Sequence, residues 1–122
     1  MLILDNIISD RGSKYAVSGG PCRSAAEAKA FVDELKQTKK FAKATHNSWG
    51  LICADGPLKN DDGESGAGAI IVRMLERETL SDHIVVVTRW YGGKHLGGDR
   101  FRHVTDAVRM ECTPFHRTGR LV

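Results

Sequence analysis

The residues whose types and spacing are best suited to binding or chemistry lie in "VVVTRWYGGKHLGGDRF", the stretch 85–101. An apolar run ends at Arg89, Trp90 and Tyr91, and a glycine-rich segment then leads to Arg100. Its glycines, which permit close approaches that a side chain would block, are Gly92, Gly93, Gly97 and Gly98. The arginines can make bidentate, charge-assisted hydrogen bonds, so the stretch predicts a binding loop for an anion or an acidic partner group.

Two other interpretations of this stretch remain open. The spacing matches neither the phosphate loop G-x-x-x-x-G-K-[ST] nor the dinucleotide fingerprint G-x-G-x-x-G, which makes a nucleotide site a minor alternative. The glycines could also serve only a tight turn from a strand into a helix, with Asp99 as the N-cap of that helix.

An acidic loop, "NDDGESG" at residues 60–66, brings Asp61, Asp62 and Glu64 together within four positions. Such oxygens could hold Mg²⁺, or the loop could be a solvated turn whose acids favour the start of the next helix. A third hypothesis pairs Asp61 or Glu64 with one of the two arginines of the first stretch. That pairing would unite the two loops into one polar surface.

A basic run in "KQTKKFAKATHNSWG", residues 36–50, forms the third feature. Its cationic residues are Lys36, Lys39, Lys40 and Lys43, followed by His46. Aromatic residues between the lysines are typical of an RNA-binding surface, which makes these five residues candidate nucleic-acid contacts. The alternative is a solvated helix end, where lysine is common.

Composition excludes several classes of protein. The chain has 122 residues, a net charge of +3 and three cysteines without a C-x-x-C pair, which predicts one domain in a reducing, cytoplasmic compartment. The N-terminus is a poor signal peptide, and no apolar run reaches the ~20 residues that span a bilayer. No histidine has established zinc spacing and no local motif marks a nucleophile. We therefore expect no metal, no cofactor and no membrane contact.

The predicted elements form an α+β domain, an α/β two-layer sandwich. Strands are predicted over 13–18, ended by "GGP", over 48–55, and over 84–88; the apolar N-terminus supplies a further candidate strand. The intervening residues 55–66 read as a turn.

Three helices are predicted between these strands. The first is opened by Ser24 and Glu27 at capping-box spacing and buries Ala28, Phe31, Val32 and Leu35. The second covers about 66–78. The third begins at Asp99, buries Phe101, Val104 and Val108, and ends near Met110. Residues 1–112 are the predicted domain and 113–122 a C-terminal tail.

Four motifs together resemble the IMPACT family: "DRGSKY" at 10–15, "KATHNSW" at 43–49, "NDDGE" at 60–64 and the stretch 85–101. The family typically shows D-R-G-S-K-F, A-T-H-N, D-D-G-E-P and R-W-[FY]-G-G-x-x-L-G-P-D-R-F in the same order. Ser65 and Gly98 stand where the family usually has proline, which should loosen both loops.

The resemblance implies a fold like domain two of ribosomal protein S-five, a β-sheet with helices on one face. It also implies a non-enzymatic role in translation. Eukaryotic relatives bind the activator of the amino-acid-starvation kinase, compete with that kinase and restrain phosphorylation of initiation factor two. They carry an additional RWD domain, and bacterial relatives a ferredoxin-like domain, for which this sequence shows no counterpart.

The leading hypothesis is therefore a protein-binding module for the translation-control machinery. Its predicted partner surface comprises Asp61, Asp62, Gly63, Glu64, Arg89, Trp90, Tyr91, Gly92, Gly93, Gly97, Asp99 and Arg100. Replacing Arg89 or Arg100 by alanine is expected to abolish partner capture with little loss of thermal stability. An RNA- or ribosome-binding protein is the second hypothesis, and a Mg²⁺-dependent phosphate-processing enzyme the third.

Overall fold

The computed structural model describes the backbone of residues 1–121 and the side chains of residues 1–113. The elements in chain order are β1 Leu2–Asp10, β2 Ser13–Pro21, α1 Ala25–Leu35, α2 Lys39–Ala42, β3 His46–Cys53, β4 Gly56–Asn60, α3 Ala67–Arg77, β5 His83–Trp90 and α4 Asp99–Leu121. The five strands form one antiparallel sheet in the order β1-β2-β5-β3-β4. None of the described helices is both long and apolar enough to cross a membrane.

The central strand β5 sets the two faces of the sheet. It pairs with β2 on one side and β3 on the other, and side chains along a strand alternate between faces. Val85 and Val87 therefore lie on one face, and Ile84 and Val86 on the other. All four are buried, as the continuous β-branched run predicted.

Helices α3 and α4 pack on the face that carries Val85 and Val87, called here the α3/α4 face. The core on this face consists mainly of Tyr15, Val17, Ile71, Met74, Leu75, Val85, Val87, Val104, Ala107 and Val108. Burying side chains of this size stabilises the fold by about 1.5–3 kcal/mol each. The predicted α+β class, with helices packed against an antiparallel sheet, is confirmed.

The opposite face, called here the α1 face, is covered by α1 and α2. Phe31 and Leu35 of α1 and Phe41 of α2 pack against apolar side chains of β2, β3 and β5. The predicted start of α1 is confirmed, because the Ser24 hydroxyl accepts a hydrogen bond from the Glu27 amide at 3.1 Å. The Glu27 carboxylate accepts from the amide of residue 23, one position before the N-cap.

The predicted end of the strand that begins at Ser13 and the predicted turn at residues 55–66 were wrong. Strand β2 continues through Gly19 and Gly20 to Pro21, where it pairs with β5, and the two glycines leave room for the side chains of Glu111 and Phe31 respectively. Residues 56–60, predicted as turn, form the edge strand β4, which tolerates proline because one side of an edge strand needs no hydrogen-bonding partner.

Helix α4 is longer than predicted. It runs from Asp99 to Leu121, so its expected end near Met110 is wrong. Glu111 and Cys112 are 0 % and 1 % exposed, and their burial holds the helix against the sheet beyond that point. Val104 and Val108 are buried as predicted, whereas Phe101 is only partly buried. Most of the predicted tail 113–122 lies outside the residues whose side chains are described.

Candidate functional site

The acidic loop and the end of β5 meet in a buried ion pair. Arg89 Nη1 lies 2.9 Å from Glu64 Oε1 and 3.3 Å from Glu64 Oε2. The residues are only 5 % and 3 % exposed. The hypothesis that this loop pairs with the arginines of the later stretch is confirmed for Glu64, and it is wrong for Asp61, whose carboxylate binds backbone amides instead.

Arg89 is buried because of its position in β5. It follows Val85 and Val87 at a spacing of two and so lies on the α3/α4 face. Its Nε and Nη2 donate to the Ser13 hydroxyl oxygen at 3.4 and 3.3 Å. The rings of Tyr15 and Tyr91 have their centroids 5.8 and 5.7 Å from its Cζ. The guanidinium is thereby fixed in one orientation.

Asp61 organises the start of α3. Its carboxylate accepts hydrogen bonds from the Gly66 amide at 3.0 Å and the Gly68 amide at 2.8 Å. The hydrogen bond from Gly66 is the largest cause that lowers the pKa of Asp61 below its ordinary value, against an opposing effect of partial burial. The Ser48 hydroxyl donates to the Asp61 carbonyl at 2.7 Å, which ties this turn to β3.

Asp62 and Gly63 turn the chain so that Glu64 enters the protein. Asp62 has φ of 46° and its carboxylate accepts from the Asn47 amide at 2.7 Å. Gly63 has φ of 84°, a conformation that glycine adopts without strain. A hydrogen bond of 2.8 Å joins His46 Nδ1 and the Asp62 carbonyl. The loop is therefore fastened to β3 on both sides of the turn.

A solvent-open cavity of about 390 Å³ lies beside the ion pair. It is called here the Arg89–Glu64 cavity, and its lining residues are His46, Gly63, Glu64, Arg89, Tyr91, His95, Leu96, Gly97 and Arg100. His46 Nε2 lies 3.4 Å and Arg100 Nη1 3.8 Å from Glu64 Oε2. Six of the twelve predicted partner-surface residues thus line one cavity, and the other six do not.

Trp90, one of the predicted partner-surface residues, faces away from this cavity and does not share a surface with Arg89. As the residue after Arg89 in the strand, it lies on the α1 face. Its indole Nε1 donates to the Lys40 carbonyl at 3.0 Å, and its ring centroid is 5.4 Å from that of Phe41. Partner contacts at Trp90 would therefore belong to a different surface.

The other predicted residues outside the cavity have structural contacts or open surroundings. Gly92 packs on the β1–β2 turn, where an added Cβ would lie 2.0 Å from the Gly12 carbonyl carbon. Gly93 has no heavy atom within 4 Å of an added Cβ. Asp99 is the first residue of α4 and pairs with Arg11 of the β1–β2 turn.

The predicted nucleic-acid residues are separated by the sheet. The four lysines are all exposed, and Lys40 pairs with Asp5 and lies 5.3 Å from the Trp90 ring centroid. His46 lies instead in the Arg89–Glu64 cavity, on the opposite face. A second cavity of about 440 Å³, called here the Trp90 groove, is lined by Asp5, Asn6, Lys14, Lys40 and Trp90.

The three carboxylates of the acidic loop do not converge. Asp61 and Asp62 accept from backbone amides, whereas Glu64 faces guanidinium groups. Within the described part of the chain, no group of three or more His, Cys, Asp and Glu residues is arranged to hold a metal ion. This geometry gives the Mg²⁺ hypothesis no coordination site.

Sequence reasoning missed three residues of the site. Ser13, which holds Arg89, belongs to the "DRGSKY" motif, and that motif was the available signal. His95 and Leu96 line the cavity from the glycine-rich loop, and Leu96 is 4 % exposed. An apolar residue placed between glycines indicated that part of this loop packs inward.

Comparison with known proteins places these features in one family. The sequence profile of the Impact N-terminal domain matches residues 11–112. "Protein IMPACT" of Bos taurus is 36 % identical over 108 residues, which are 84 % of this chain and 34 % of that protein. "Protein IMPACT homolog" of Saccharomyces cerevisiae is 37 % identical over 109 residues, or 84 % and 42 %. The chain thus spans well under half of these relatives.

Two solved structures are similar to the fold. The crystal structure of a hypothetical protein has a TM-score of 0.79 and 21 % identity, covering 91 % of this chain and 57 % of the other, and it supports the fold alone. The structure of the two-domain translational regulator Yih1 has a TM-score of 0.51 and 31 % identity, covering 88 % and 44 %.

Proposed function

Since the chain belongs to the Impact N-terminal domain family, we propose that it is a non-catalytic protein-binding module that acts in the control of translation. The similarity to a translational regulator supports this role. The finer form of the proposal is competition for the activator of the initiation-factor-two kinase under amino-acid starvation. The Arg89–Glu64 cavity and its rim form the proposed partner surface.

The observation that carries the proposal is an exposed rim above a rigid floor. Tyr91 is 43 % exposed and the Arg100 side chain 32 % exposed at a cavity whose floor is the buried Arg89–Glu64 pair. Tyrosine and arginine are enriched among the residues that dominate binding energy at protein interfaces. A floor fixed by Ser13 also requires little reordering when a partner binds, which favours affinity.

The lining of the cavity supports a binding role over catalysis. None of its described lining residues is a serine, threonine or cysteine that could serve as a nucleophile. The carboxylate of Glu64 is engaged by Arg89 at hydrogen-bond distance. Its charge therefore stabilises the floor of the cavity.

Binding to the purified kinase activator tests this proposal. Tyr91→Ala and Arg100→Gln should each weaken binding by about tenfold or more, as loss of a central interface residue does. Both side chains are partly exposed, so thermal unfolding should change little. Arg102→Gln, which removes the same charge from a side chain of α4 that is 63 % exposed, should bind normally. Equal binding by all three variants would contradict the proposal.

A second candidate function, RNA binding, is favoured by the Trp90 groove. Lys14 and Lys40 flank a partly exposed indole there, and aromatic rings with nearby cations bind single-stranded bases. An RNA oligonucleotide should then bind with an affinity that falls steeply as the salt concentration rises. The Lys14→Gln variant should bind the oligonucleotide more weakly than the wild type at the same salt concentration. No binding at low salt would remove this candidate.

A further inference from the structure

We propose that the Arg89–Glu64 cavity recognises a carboxylate, supplied by an aspartate or glutamate side chain of a protein partner, and that Arg100 is the residue that pairs with it. This inference rests on the proposed function, in which the cavity is the partner surface. It adds the chemical class of the group that enters the cavity.

The charges of the cavity leave one cation without a matching anion. Arg89 holds both oxygens of Glu64 through Nη1, at 2.9 and 3.3 Å. Arg100 Nη1 is 3.8 Å from the same carboxylate, beyond hydrogen-bond distance. Two guanidinium groups therefore face one carboxylate, and the imidazoles of His46 and His95 can only add positive charge. The excess is one positive charge on the solvent side, which suits a monoanion.

The Arg100 guanidinium is positioned to receive that anion. Its Cζ lies 4.6 Å from the Phe101 ring centroid, and Phe101 fits over Gly66, where an added Cβ would be 3.2 Å from the ring. Within residues 1–113, the Arg100 guanidinium forms an ion pair with Glu64 at 3.8 Å and donates no hydrogen bond. Its donors are therefore available for a bidentate bond to a carboxylate.

The remaining lining favours an acidic protein side chain over nucleic acid. Tyr91 and Leu96 supply apolar surface that matches the aliphatic stem of a glutamate. A phosphate dianion would carry a second negative charge toward the Glu64 oxygens, where no further described arginine or lysine lines the cavity. Lys40, which pairs with Asp5, and the Trp90 groove lie on the α1 face, away from the cavity.

An NMR titration of the ¹⁵N-labelled protein tests the inference without the natural partner. The probe is N-acetyl-glutamate α-methylamide, whose only charge is the side-chain carboxylate, and the control is its uncharged glutamine analogue. We expect saturable amide shifts centred on residues 63–64 and 95–101, with the glutamine analogue at least about tenfold weaker. Arg100→Gln should weaken the glutamate probe to the same extent, whereas Arg102→Gln should not.

Three results would overturn the inference. They are equal binding of the two probes, unchanged binding by Arg100→Gln, and tighter binding of inorganic phosphate or an RNA oligonucleotide at the same amides. The outcome is separable from that of the proposed function. Carboxylate binding without capture of the kinase activator would refute the proposed partner alone, whereas capture without carboxylate binding would refute the recognition chemistry alone.

Discussion

Removing one member of the buried ion pair should cost much of the stability of this protein. In Arg89→Met the Glu64 carboxylate, 3 % exposed, loses its hydrogen bonds from Nη1 and keeps contacts of 3.4 Å with His46 and 3.8 Å with Arg100. Breaking a buried pair in this way costs about 3–5 kcal/mol. Domains of this kind are stable by about 5–15 kcal/mol in total.

Urea and thermal unfolding followed by circular dichroism measure this cost. For a domain of 122 residues, the expected loss corresponds to a fall in Tm of about 10–20 °C. The double variant Arg89→Met/Glu64→Leu should recover most of it, because replacing both partners by apolar groups leaves no uncompensated charge. The coupling energy from the double-mutant cycle should therefore be at least about 2 kcal/mol.

The matched control is Arg102→Met on the exposed side of α4, which should change stability by no more than about 0.5 kcal/mol. A loss below about 1 kcal/mol in Arg89→Met, the value for an exposed pair, would refute the argument from burial. The sequence led us to expect that replacing Arg89 would abolish partner capture with little loss of thermal stability. Because Arg89 is buried, its replacement tests stability instead, and Arg100 is the arginine suited to testing partner capture.

Three further experiments test other parts of the structure. Gly19→Ala should destabilise the fold by about 2–3 kcal/mol in a urea titration, because the new Cβ would lie 2.2 Å from Glu111 Oε1 and 2.9 Å from a backbone oxygen of β5. The control Gly98→Ala, whose Cβ would have no heavy atom within 4 Å, should be neutral in the same titration. Asp61→Asn should cost about 1 kcal/mol at pH 6 through weaker capping of α3. Folding lowers the pKa of Asp61, so its ionised carboxylate stabilises the fold fully at pH values above its unfolded pKa. The difference in the free energy of unfolding between the wild type and Asp61→Asn should therefore vanish as the pH falls through the lowered pKa of the folded state. Burial raises the pKa of Cys112 to about 12, so this thiol should react with a disulfide reagent at pH 8 only after unfolding, and rapid reaction of the folded protein would contradict its placement.

Local signals predicted the regular part of the fold, and tertiary contacts account for the errors. The capping residue Ser24 and the β-branched run of β5 specify their elements without help from distant residues. The edge strand β4 contains proline, lysine and asparagine, which are depleted in strands, and its pairing with β3 makes it a strand. The continuation of β2 through Gly19 depends on the bulk of Glu111, distant in sequence, which no local pattern reveals.

The candidate site was predictable in its pairing but not in its exposure. The acid-rich loop and the arginine-rich stretch were complementary in charge, which was enough to predict that Asp61 or Glu64 meets an arginine, and Glu64 does. Arginine is seldom buried, so its type indicated a surface position. The alternation of β5, with Val85 and Val87 on the face of Arg89, carried the contrary signal and also assigned Trp90 to the other face.

The position of β5 between β2 and β3 also governs the order in which a growing polypeptide can fold. The hairpins β1–β2 and β3–β4 can each close from neighbouring residues during synthesis. The two hairpins join only through residues 83–90, so until that segment leaves the ribosome each exposes an unpaired edge. A nascent chain that ends before His83 therefore lacks the strand between β2 and β3, and synthesis of residues 83–90 allows the two hairpins to join in one sheet.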